Sequence, residues 1–276
     1  MKFTTKSLFL FALILGLLPA VPARAAVADV ARLVSRSDVI LRGTITKAQR
    51  LSPKEAPNVA ADHARFLVRA DVAALIMAPD IMDAQVTYLV DVPRDSRGKF
   101  PKLTKMPVLL FFEQVRGVRS GWRLADIDGQ RLWSAQEDAD ARRLAAERHA
   151  EKLEGLHLTG FGNGFHVPGN VPGESETQIF LKTANDAPVS LIILRRPDQA
   201  PRYRMVTGDI INDTDGEIRP KSLLWYHVAC TLPASLPADM GEGQSEANRA
   251  AMAADYASLR GDIGPCDAAG SPAARP

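Results

Sequence analysis

Hydrophobic and polar positions along the first half of the chain alternate with a period of two. VILRGTITKA (39–48) places Val39, Leu41 and Ile45 on one side, with Arg42, Thr44 and Thr46 on the other, which predicts a strand. ARFLVRADVAAL (64–75) repeats the pattern with Phe66, Val68 and Val72, and QVTYLVDV (85–92) with Val86, Tyr88, Val90 and Val92. PVLLFFEQV (107–115) is apolar almost without interruption and predicts a strand buried on both faces. WRLADIDGQRLW (122–133) reads as two short strands around the turn dipeptide Asp128-Gly129. A short helix at 29–37, with Val30, Leu33 and Val34 sharing a face, precedes the first strand. Strands at this spacing, with no long helix between them, predict a small antiparallel barrel.

The pattern changes at 134–154. SAQEDADARRLAAERHAEKLE has no Gly or Pro and carries a narrow stripe of Ala141, Leu144, Ala145 and Leu153, which predicts a connecting helix. Residues 159–178 hold five glycines and lose all periodicity, so a long loop is expected. Strands return at 177–183, 188–196, 202–211 and 222–232, and a last helix at 244–260 carries Met252, Tyr256 and Leu259. The chain is therefore expected to be mainly β: an OB-like antiparallel barrel plus a second, β-sandwich-like domain, joined by a helix. The division is a signal peptide at 1–25, the barrel at 26–133, the helix at 134–155, a β-rich domain at 156–240, and a C-terminal helix and tail at 241–276.

The N-terminus changes the picture of where the protein works. Lys2 and Lys6 precede an apolar run from Leu8 to Leu18, and Ala23-Arg24-Ala25 forms an A-x-A cleavage pattern. This is the grammar of a secretory signal, and the run is too short to span a bilayer stably. No later stretch is apolar enough to span, so no transmembrane segment is expected after signal cleavage. Removal of Lys2, Lys6 and Arg24 takes the formal net charge from +2 to −1. A near-neutral chain gives no reason to expect nucleic acid as a partner. The expected location is the periplasm or the extracellular space. In an oxidising compartment the two cysteines, Cys230 and Cys266, are expected to form one disulfide.

The strand series SDVILRGTIT, RFLVRADVAAL and PVLLFF, led by a short helix, resembles the netrin-like, tissue-inhibitor-of-metalloproteinase-like version of the OB barrel found in bacterial exported proteins. The resemblance covers roughly residues 27–133 and implies a binding module. The zinc-chelating N-terminal cysteine of that family's inhibitors has no counterpart here, because the expected mature N-terminus is Ala26. The C-terminal half, through VPGESETQIFL and LLWYHVAC, resembles an uncharacterised bacterial exported segment and implies no activity.

Catalytic signatures are sparse. There is no HExxH, GxSxG, P-loop or dinucleotide-binding glycine pattern. His157 and His166 bracket the glycine-rich stretch, and Glu174 and Glu176 follow it. Together these four are the residues that an unrecognised periplasmic hydrolase would use as acid and base. His227 reads as a satisfied, half-buried strand residue. Asp213, Asp215 and Gly216 form a turn that lacks the carboxylates of a calcium loop. No metal and no cofactor are expected. The favoured reading is a non-catalytic binding or assembly protein whose partner is another envelope or extracellular protein. Its binding residues are expected to be Phe161, Asn163, Phe165, His166 and Glu174.

Overall fold

A computed structural model describes residues 23–79, 82–115, 121–207 and 216–266. The signal-like segment before Ala23, the end of the expected 202–211 strand, and Asp213 and Asp215 lie outside them. The fold is mainly β, and the described residues form two antiparallel sheets and four α-helices.

Helix α1 (Ala23–Arg36) starts earlier than the apolar pattern alone predicts. The first sheet follows: β1 (Val39–Arg50), β2 (His63–Met77), β3 (Gln85–Pro93), β4 (Pro107–Gln114), β5 (Trp122–Leu124) and β6 (Gln130–Leu132). Its order is β3-β2-β1-β4-β5, with β6 also on β4. The alternation seen in the sequence is the alternation of burial. Val39, Leu41, Phe66, Val68, Tyr88, Val90, Leu110 and Phe112 enclose one apolar core on a single face of the sheet. Gly43 sits where β1 shifts register against β2, and a Cβ there would stand 2.8 Å from the Asp71 carbonyl oxygen.

The expected closed barrel does not form. Tyr88 Oη on β3 donates to Gln130 Oε1 on β6 at 2.6 Å, but no backbone ladder joins the two strands. Nor do β5 and β6 form the expected hairpin with each other. Both pair with β4, in tandem along one edge: Phe112 opposite Leu124, and Val108 opposite Leu132. Ala125 N still donates to Phe111 O and Phe111 N to Gly129 O, both at 2.9 Å, and residues 126–128 leave the edge. They carry Asp126 and Asp128 to α1, where Arg32 donates to them at 2.6 and 2.5 Å. The edge that would have closed a barrel is thereby diverted to anchor a helix.

Beyond α2 (Ala135–Ala150), the second sheet is a simple meander of β7 (Leu158–Pro168), β8 (Ser175–Thr183), β9 (Val189–Arg195) and β10 (Arg202–Val206). The glycine-rich stretch is therefore strand and tight turn, not a long loop. Its register shifts between Phe161 and Gly164, which breaks the period that sequence reading relies on. Nor is this half a sandwich. It is one sheet covered on one face by helices.

The expected strand at 222–232 is helical: α3 (Leu223–Tyr226) runs into a π-helical turn (His227–Thr231). Ser222 caps it, accepting from Trp225 N at 3.0 Å, and Glu147 of α2 accepts from Leu223 N at 2.8 Å. Leu223 to Ala229 are buried all round, so the apolar run carried no facial period to separate strand from helix. Helix α4 (Glu246–Ile263) then lies across the sheet. Its C-terminal end is held by Trp225 Nε1 to Ile263 O at 2.9 Å, Arg260 Nη1 to Val228 O at 2.6 Å, Tyr203 Oη to Asp262 Oδ2 at 2.5 Å, and the Cys230–Cys266 disulfide, whose Cα atoms are 4.9 Å apart.

One apolar cluster runs from α1 through Ile40, Leu109 and Phe111 of the first sheet to the inner face of the second. β4 is the shared wall. Val108, Leu110 and Phe112 face the first core, while Leu109 and Phe111 face the second.

Candidate functional site

The β7–β8 hairpin has an inner and an outer face, and the residues singled out from the sequence divide between them. Phe161 points inward and meets Tyr256 of α4 edge to face at 5.4 Å. Gly164 is inward too, and a Cβ there would stand 2.9 Å from Gln178 O and 3.0 Å from Met252 Sδ. Glycine at this place lets α4 lie close against the strand. Asn163 is exposed at the bulge, where its Oδ1 accepts from Gly164 N at 2.8 Å and Gly241 N at 3.1 Å.

His166 is buried at the head of a polar chain under α4. Its Nδ1 lies 2.8 Å from Thr177 Oγ1 and 3.3 Å from Asp255 Oδ2. The Thr177 hydroxyl donates to Asp255, and Arg195 Nε donates to the other oxygen of that carboxylate. With its one proton given to Asp255, Thr177 accepts from Nδ1–H. The carboxylate, the hydroxyl and one imidazole nitrogen are thus mutually satisfied in the interior, where leaving any one unpaired would be costly. This network pins α4 to β7, β8 and β9.

The other members of the expected catalytic set are elsewhere. His157 is exposed just before β7, nine residues from His166, roughly 25–30 Å along an extended strand. Glu174 is exposed in the hairpin turn, its backbone oxygen accepting from Gly169 N at 2.7 Å. Glu176 is next to Thr177 on β8 and therefore on the opposite face from His166. The structure does not gather the four residues into one site.

Among the described residues the outer face of the second sheet is open over β7 and β8, while on β9 and β10 Ile192, Arg204 and Val206 of the same face are buried. Phe165 and Phe180 lie tilted against each other at 6.0 Å between centroids, and Phe180 is 42% and Val167 51% exposed. Leu194 extends the patch on the neighbouring strand. A cleft of about 380 Å³ opens beside it, with Phe165, Val167 and Leu194 as apolar walls and Glu176, Arg195 and Arg196 as polar ones.

Sequence reading missed two features. A wider cleft of about 1420 Å³ lies between α2 and the ends of β2 and β4, with Met77, Ala145, Arg148 and Glu154 among its walls. Tertiary pairing alone assembles it from distant segments. The Arg148 guanidinium at this place is buried and caps α1, Nη1 donating to Val34 O at 3.0 Å and to Ser37 O. The second feature is His227, which is wholly buried in the π-helical turn and not half-exposed on a strand. Neither ring nitrogen has a hydrogen-bond partner. Burial, with the Arg148 guanidinium and His157 adding to it, pushes its pKa down to about 4.

Among the described residues no group of three or more His, Cys, Asp and Glu is placed to hold a metal ion. No helix of these residues is long and apolar enough to cross a membrane. Compared with known proteins, the chain matches no family model, no curated protein and no solved structure.

Proposed function

We propose that this is an exported, non-catalytic binding or assembly protein. It works in the periplasm or outside the cell, and its partner is another envelope or extracellular protein. The observation that carries this reading is the outer face of β7 and β8, an open apolar patch of Phe165, Val167 and Phe180, continued by Leu194 of β9, beside a walled cleft. Isolated exposed apolar residues are ordinary, but a contiguous group on one sheet face marks interaction surfaces. The disulfide and the signal-like N-terminus agree with export. The netrin-like, OB-like reading of residues 27–133 belongs to the same proposal, supported by the curled sheet around its own core. A hydrolase reading would have to start from His166, and the expected carboxylates Glu174 and Glu176 are not beside it.

The test is crosslinking in intact cells with the tagged chain, read by mass spectrometry, for the parent and for Phe165→Ser/Phe180→Ser and Glu176→Gln. One dominant envelope protein, lost in the double serine variant, is the expected result. Absence of any partner from abundant, folded protein would overturn the reading.

A further inference from the structure

Helix α1 begins where the export pattern ends. Ala23-Arg24-Ala25 is the expected cleavage sequence, and the helix runs through it without interruption. Just past the expected cut, Val27 is 6% exposed and Ala28 wholly buried. Val30, Ala31, Leu33 and Val34 follow in the same core. A protease takes its scissile bond and the flanking residues as extended chain. Here the residues after the bond are helical and packed, so presenting them requires α1 to leave the core.

Asp29 supplies a second, independent observation. It is buried, and its Oδ1 has no hydrogen-bond partner. Arg32 Nη2 stands 4.0 Å away, and the Arg32 guanidinium is engaged by Asp126 and Asp128. Burial raises the pKa of the Asp29 carboxyl, while Arg32 and Arg131 pull it down and Asp128 and Glu137 push it up.

Hydrolysis between Ala25 and Ala26 adds one water, leaving a carboxylate on Ala25 and an ammonium on Ala26. Ala26 would then be the helix N-cap and Asp29 the third residue after it. That is the spacing at which a carboxylate reaches back to the N-cap nitrogen. We propose that the Ala25–Ala26 bond is cut before α1 docks, and that the ammonium freed at Ala26 becomes the partner of the orphan Asp29 oxygen. The proposal rests on the export reading above. It makes removal of the leader a step in completing the core, with the uncut, folded chain closed to processing.

Two measurements test it. The full-length chain in detergent is incubated with a purified leader-removing endopeptidase, either folded or freshly diluted from urea, and followed by intact mass. Cutting after Ala25 at least about tenfold slower in the folded chain is expected. Equal rates would overturn the proposal. No cut in either state would remove the export reading, and the proposal with it. Chains beginning at Ala26 and at Ala23 are then melted, with and without Asp29→Asn. The chain beginning at Ala26 should melt higher, and Asp29→Asn should erase the difference. A difference that survives Asp29→Asn would overturn the pairing.

Discussion

The two sheets solve the same problem differently. The first curls until its strands enclose a core of their own, built from Phe66, Tyr88, Leu110 and Phe112. The second stays open, and its inner face is closed by elements distant in sequence, with α1, α2, α3, α4 and one side of β4 sharing its core. A curled sheet carries its stabilisation in its own alternation. A flat one depends on how firmly its cover is held. That cover is held by Trp225, the disulfide and the Asp255 network, so the two regions should respond differently to the same perturbation.

The largest expected effect comes from Trp225→Ala. This removes a wholly buried indole and its bond to Ile263, and should cost about 3–5 kcal/mol. Hydrogen exchange should place the loss in the second sheet and α4, with β2 and β3 protected. Uniform loss across both sheets would dissolve the distinction between them.

Replacing Cys230 and Cys266 by serine opens a loop with a sequence separation of 36, worth about 3–4 kcal/mol in the chain-entropy account. Thermal melts with and without reductant should show that loss in the parent and no further effect of reductant in the variant.

Acid sharpens the contrast from another direction. His227 is held neutral by burial in the folded chain, near 4, while an unfolded histidine titrates near 6.5. The unfolded state therefore binds the proton first. The stabilisation is complete above about pH 6.5 and is lost as pH falls towards 4, by an amount on the order of 3 kcal/mol. Urea midpoints at pH 7.5 and 4.5 should differ for the parent, and the difference should shrink in His227→Leu.

The smallest effect is expected on the open outer face of β7 and β8. Phe180→Ser should change stability by no more than about 0.5 kcal/mol by urea titration, because that side chain is already half in water. A larger loss would mean that something covers the outer face after all.

How much was legible in the sequence follows the same division. Strands β1 to β3 could be read because one face is wet and the other dry, and β4 because neither is wet. The segment around Trp225 could not, because a run buried on every side carries no phase. The glycine-rich strand could not, because a bulge at Phe161–Gly164 resets the alternation. The disulfide needed only a count of two cysteines and a compartment. The Asp255 network was invisible, since His166, Thr177, Arg195 and Asp255 are brought together by topology and not by spacing.

β4 has a consequence for how the chain finds its fold. A slip of one residue ordinarily turns a strand's apolar side to water and is rejected at once. On β4 the slip only exchanges Val108, Leu110 and Phe112 for Leu109 and Phe111, so both registers look equally oily. The correct one is selected by a polar marker at its end, where Asp38 Oδ2 accepts from Gln114 N at 2.8 Å. Misregistered, slowly repairing intermediates should therefore accumulate when Asp38 is lost, even where the final native state is barely weakened.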